Sequence, residues 1–116
     1  GLLCPLTDTG TIADLVGVLA VPLIVVARRS LGTHNHTLLT LEVARGRGLK
    51  VAGLVVTETQ PGQPGAAEET VVAELRRRID VPLLAVLPHR GPGEETPAEL
   101  AAVPWAELAG NLAYSD

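Results

Sequence analysis

VPLIVVARRSLGTHNHTLLTLEVARGRGLKVAGLVVTE, from Val21 to Glu58, decides the fold. It reads as strand, short polar loop, helix, glycine stop and strand. Val21 to Ala27 is a nearly unbroken apolar run, the pattern of a strand buried on both faces. Leu31-Gly32-Thr33-His34-Asn35-His36 is small and polar and opens a helix, with Thr33 as a candidate N-cap. Leu38, Leu39, Val43 and Ala44 are expected to form the apolar stripe of that helix, and Gly46 and Gly48 to end it. Lys50 to Val56 reads as a second buried strand. Strand, helix and strand at this spacing make a parallel crossover of right-handed sense. The Leu31–His36 loop then lies at the carboxyl end of its strand, where open α/β sheets bind ligands. The first N–H groups of a helix have no internal partner and carry partial positive charge, so an anion can be held there without a charged side chain.

The flanking sequence repeats the alternation. Leu2 to Leu6 reads as a short buried strand, with Cys4 as a buried small hydrophobe. Thr7-Asp8-Thr9-Gly10 is turn chemistry. Thr11 is a helix N-cap, followed by Ile12, Leu15, Val16 and Leu19 on one face. Thr59 to Gly65, TQPGQPG, is a Pro/Gly loop. A third helix spans Ala66 to Ile79, with Glu68 and Glu69 in its first turn and Arg76, Arg77 and Arg78 in its last, both suited to the helix dipole. Its buried face is Val71, Val72, Leu75 and Ile79. Val81 to Leu87 is the last strand, with Pro82 tolerated where the strand begins. After the loop HRGPGEE, His89 to Glu95, Thr96-Pro97-Ala98-Glu99 reads as a capping box with proline at the first helical position. Pro104 breaks or restarts that helix, and Trp105, Leu108 and Leu112 continue its stripe. The order βαβαβαβα predicts an α/β fold of three α/β/α layers, with four parallel strands in chain order and helices on both faces.

Composition narrows the function. The 116 residues suffice for one domain and one core, and 47% hydrophobic content excludes a disordered chain. A net charge of −4 argues against nucleic acid, which needs a basic surface. A single cysteine permits no internal disulfide and fits a reducing cytoplasm. No apolar run reaches membrane-spanning length. A phosphate-binding P-loop needs Gly-Lys-Ser/Thr, but the one lysine, Lys50, follows Leu49. The chain also has no methionine and opens directly in a strand-like run, so it is expected to be a piece of something longer.

VPLIVVARRSLGTHNHTLLTLEVARGRGLKVAGLVV and the upstream PLTDTGTIADL resemble dethiobiotin synthetase, with little interruption from Gly1 to about Pro88. The LG-x-x-NH loop, its helix and the following AG-hydrophobic strand carry the likeness. The resemblance implies a P-loop NTPase-like fold, incomplete here on its N-terminal side, and a single C-terminal part of that domain over residues 1–116. It implies an ATP- and magnesium-dependent homodimer of biotin biosynthesis that closes the ureido ring of dethiobiotin from 7,8-diaminopelargonate and carbon dioxide. Two alternatives are a non-catalytic dethiobiotin synthetase-like regulatory or dimerisation module and a fragment of a cobyrinic-acid-type amidoligase.

The resemblance assigns residues. The backbone of Gly32, Thr33 and His34 and the amide of Asn35 would bind the substrate carboxylate, reaching into the neighbouring subunit's active site. Thr57 stands where the family usually has an asparagine that reads the adenine edge. Pro88, His89 and Glu94 match the segment flanking the base. The family's P-loop lysine and magnesium-binding glutamate would lie upstream of Gly1, so ATP and Mg2+ would be held mainly by residues outside this chain, which would be inactive alone. From the residues themselves, Thr7, Asp8 and Asp14 form a polar cluster whose ordinary role is to bond the local backbone, and no metal role is given to Asp8. His34 and His36, two apart on a helix, point to different faces and make no metal pair, and His36 is expected to be packed or hydrogen-bonded.

Overall fold

A computed structural model describes residues 1–110. Its order is α1 (Ile12–Leu19), β1 (Leu23–Arg28), α2 (Thr33–Gly46), β2 (Val51–Thr57), α3 (Ala66–Arg78), β3 (Leu83–Leu87), α4 (Ala98–Ala101) and α5 (Trp105–Gly110). The predicted stripe residue Leu112 lies outside the described residues.

Three strands pair in the order β1-β2-β3, all parallel, as expected of successive crossovers. The register sets Arg28 beside Thr57 and Thr57 beside Leu87, so the three strands end together at one edge of the sheet. β2 is central and buried over Gly53–Val56, with Leu54 and Val56 fully enclosed. On one face Ala27, Leu54 and Val56 pack against Val71 and Leu75 of α3. On the other, Val55 and Ala85 pack against Val103, between α4 and α5, with Leu108 beside them. Helices therefore cover both faces, the three-layer arrangement that the alternation of elements predicts.

α2 ends as its glycines require. Gly48 adopts a positive φ of 68°, its N–H reaches the Arg45 carbonyl, and the N–H of Leu49 reaches that of Ala44. This is a Schellman closure, which satisfies carbonyls that have no partner inside the helix. α3 carries Glu68 and Glu69 at its start and Arg76–Arg78 at its end, as read. α1 starts in a capping box: Asp14 N–H donates to the Thr11 hydroxyl, while the Asp14 carboxylate accepts from Thr11 N–H at 2.7 Å. Those bonds from Thr11, first its backbone N–H and then its hydroxyl, hold Asp14 below the ordinary carboxylate value, and Arg47 at 3.2 Å adds to the effect.

Five expectations are corrected. Leu2–Leu6 is not a fourth parallel strand. Thr7-Asp8-Thr9-Gly10 turns the chain back, with the Thr7 hydroxyl accepting from Gly10 N–H at 2.8 Å. Pro5 then bridges Thr11 in antiparallel sense, and the Leu2 and Cys4 carbonyls accept from Ala13 and Ile12 at the start of α1. Those acceptors serve the open helix end instead of a sheet ladder, and Cys4 is consequently exposed rather than buried. β1 is not buried on both faces: Val26 is 63% exposed and opens onto a groove bordered by Thr33, His36, Thr37 and Thr40 of α2. The buried face of α2 is Thr33, Thr37, Leu41 and Ala44, and Leu39 points outward. On α1 the buried residues are Ala13 and Val16, with Leu15 and Leu19 exposed. Finally, α4 starts at Ala98 after Pro97, with no side-chain cap, so Thr96 closes no capping box there. Pro104 does separate α4 from α5, where Trp105 Nε1–H donates to the Leu100 carbonyl at 2.9 Å.

Candidate functional site

The parallel sheet places three loops on its carboxyl edge: residues 29–32 into α2, 58–65 into α3 and 88–97 into α4. This is the edge at which a doubly wound sheet presents ligand-binding groups. The Lys50 end of β2 is the opposite edge.

The first loop carries the predicted carboxylate site. Gly32 is the N-cap of α2, in a left-handed conformation at φ 88°, a geometry that glycine adopts without the steric cost of a Cβ. Thr33 is therefore not the N-cap. It is the first helical residue and is buried, its N–H donating to the Ser30 carbonyl and its hydroxyl to the Arg28 carbonyl at 2.5 Å. Both groups are committed to holding the helix start against the end of β1. His34 is half-buried, and its Nε2 is enclosed without a hydrogen-bond partner among the described residues. Asn35 and His36 are exposed. His36 is thus not packed inward; it borders a shallow groove of about 200 Å³ beside β1, lined also by Val26, Thr33, Thr37 and Thr40.

The other two loops enclose a separate cleft of about 320 Å³. Its walls come from Arg29, Glu58, Gly62, Gln63, Pro64, Val86, Leu87, Pro88, His89 and Glu99. Pro88 and His89, two of the predicted base-pocket residues, line it. Thr57 sits just below, at the end of β2, with its carbonyl accepting from Arg29 N–H at 2.9 Å. Glu94 lies outside: it is exposed and faces Arg90 at 3.9 Å. The eight predicted site residues thus lie on one edge of the sheet but are not gathered in one depression: Thr33 lines the groove, Pro88 and His89 line the cleft, and Gly32, His34, Asn35, Thr57 and Glu94 line neither.

The cleft contains a charged pair that the sequence reading assigns no role. Arg29 Nη1 lies 3.9 Å from Glu58 Oε2, and both side chains are largely buried. Arg29 Nε also donates to the Glu68 carbonyl in the first turn of α3, at 3.0 Å. One guanidinium thereby ties the ends of β1 and β2 to the start of α3, a use of its several planar donors that a lysine could not reproduce. The signal was present: Arg29 and Glu58 each follow a strand by one residue, and parallel strands of matched register bring such residues together. Among the described residues no three His, Cys, Asp or Glu side chains cluster as a metal site would require.

Comparison with known proteins agrees with this architecture. The chain is 46% identical over 88 residues to the ATP-dependent dethiobiotin synthetase BioD of Anaeromyxobacter dehalogenans (strain 2CP-C), covering 76% of this chain and 39% of that protein. It is 41% identical over 102 residues to that of Aromatoleum aromaticum, covering 88% and 44%. With that of Rhodococcus erythropolis it shares 39% identity over 109 residues, covering 93% and 47%. The chain spans less than half the length of these curated relatives. A family model described as an AAA domain matches residues 1–95, most of the chain, and this chain, whose described strands are all parallel with helices on both faces, belongs to that family.

Proposed function

We propose that this chain is a C-terminal part of an ATP- and magnesium-dependent dethiobiotin synthetase, which closes the ureido ring of dethiobiotin from 7,8-diaminopelargonate and carbon dioxide. The observation that carries the reading is 39–46% identity to relatives of that name over 76–93% of the chain. In this reading the start of α2 takes the substrate carboxylate, through the backbone at Gly32–His34 and the side chain of Asn35. The exposure of Asn35 and the position of Gly32 and His34 in a first helical turn support that role, the Thr33 N–H being held by the Ser30 carbonyl. The cleft of Pro88 and His89 takes the nucleotide base, with Thr57 at its floor. Glu94 reaches the base only if its loop moves from the position described above.

The triphosphate and magnesium do not fit this chain alone. Its one lysine, Lys50, precedes β2 at the far edge of the sheet from Gly32 and Pro88. We assign their binding to residues of the protein outside these 116, and no chemical step is assigned here to the metal. The protein acts as a cytoplasmic homodimer in which the helices starting near Thr33 and Ala66 contribute to the interface, and it uses neither membrane nor nucleic acid. No helix among the described residues is long and apolar enough to cross a membrane.

Replacing Asn35 with Leu in the full-length gene product tests the carboxylate role. Loss of a hydrogen bond to a charged partner, about 1.5–3 kcal/mol, lowers diaminopelargonate affinity roughly tenfold to hundredfold. Unchanged affinity by calorimetry would refute it.

A further inference from the structure

The cleft holds a carboxylate whose hydrogen-bonding capacity is unspent. The Glu58 side chain is 12% exposed, and Arg29 at 3.9 Å is beyond N–H···O bonding distance. Among the described residues nothing donates a hydrogen bond to the Glu58 carboxylate. A charge withdrawn from water is ordinarily supplied with donors, and a carboxylate can only accept. Arg29 cannot simply swing over to satisfy it, because its Nε is committed to the Glu68 carbonyl. The rest of the cleft is suited to a flat ring: Pro64, Val86, Leu87 and Pro88 supply apolar walls, and about 320 Å³ lies in the usual range for a small-molecule pocket.

We propose that Glu58 reads the amino edge of the nucleobase in this cleft, and that Arg29 is the positioning residue that keeps the Glu58 carboxylate turned toward it. The inference rests on the cleft being the base pocket. A base that presents an exocyclic amino group donates to Glu58 Oε. A purine with hydrogen at that position displaces water from the carboxylate and offers no donor in return, and binds less well for that reason. Arg29 acts through charge and through its tie to α3, without touching the base.

The test compares ATP with purine riboside 5′-triphosphate, which has the same phosphates and sugar but no 6-amino group. Calorimetry on the full-length gene product is expected to give a preference for ATP of roughly tenfold to hundredfold, the range for a hydrogen bond to a charged group. Glu58→Ala brings the ratio close to one, and Glu58→Gln, which keeps an acceptor oxygen, falls between. Arg29→Ala lowers the ratio by weakening ATP while leaving the amino-free nucleotide nearly unchanged; a purely structural loss would weaken both together. Because each ratio is taken within one preparation, partial unfolding of a variant cancels. A wild-type ratio near one, or a ratio unmoved by Glu58→Ala, overturns the proposal while leaving ATP binding in place. A full-length protein that binds neither nucleotide overturns the proposal together with the base-pocket reading beneath it.

Discussion

Val51–Thr57 and Leu2–Leu6 are both short apolar runs beside turn residues, yet one is the centre of the sheet and the other lies on the surface. Leu54 is fully enclosed, whereas Leu3 is 52% exposed. Hydropathy does not separate them; the destination of their backbone hydrogen bonds does. β2 has a parallel partner on each side, and its side chains meet α3 on one face and Val103 on the other. The carbonyls of Leu2 and Cys4 instead cap α1, which they can reach because Thr7–Gly10 reverses the chain. An apolar run records a capacity for burial, and the neighbours offered to its backbone decide whether it becomes a strand.

The contrast can be broken by truncation. Leu54→Ala removes a fully buried side chain from the core, at a cost of about 2–5 kcal/mol, measured as a lower denaturation midpoint. Leu3→Ala, in the surface run, is expected to stay within about 0.5 kcal/mol of the parent. Equal losses at the two positions would mean that Leu2–Leu6 is buried after all.

A smaller effect sharpens the account of the N-terminal region. Thr11→Ala removes the α1 cap and costs about 1 kcal/mol. Its partner Asp14 adds a pH signature. The Asp14 pKa is depressed in the folded protein, so its contribution is present above its ordinary value of 3.8 and is lost as pH falls through the lower folded value. Asp14→Asn should therefore flatten the acid side of the stability profile below about pH 4, where Asp14→Asn and parent converge. A gap between parent and Asp14→Asn that does not narrow toward low pH would contradict the capping-box origin of the shift.

What could be read in the chain follows the same division. The crossover from β1 through α2 to β2 was legible because its signals are local: a small polar loop, a helix-length gap and Gly48 where a left-handed residue closes the helix. The buried face of α2 was not, because two of its members are Thr33 and Thr37, which hydropathy counts as polar. Thr33 is buried because its hydroxyl finds the Arg28 carbonyl, a partner that only the folded crossover supplies. The exposure of Val26 is not legible for a related reason: a strand run does not disclose whether other elements cover both of its faces. At the site, Pro88 and His89 were identified and do line the cleft, whereas Arg29 and Glu58 lie 29 positions apart in sequence and meet only through the parallel register of β1 and β2. The resemblance groups Glu94 with them, but the loop from Gly91 holds it outside the cleft.

The most direct test of the functional reading is an assay of ATP-dependent ring closure, with 7,8-diaminopelargonate and carbon dioxide as substrates. It compares these 116 residues alone with the full-length gene product that contains them. Phosphoryl transfer depends on a positioned lysine and metal, and the one lysine here stands at the wrong edge of the sheet. The expected result is dethiobiotin from the full-length protein and none from the isolated chain. Turnover by the isolated chain would contradict this division of the chemistry, and no turnover by the full-length protein would contradict the assignment as a dethiobiotin synthetase.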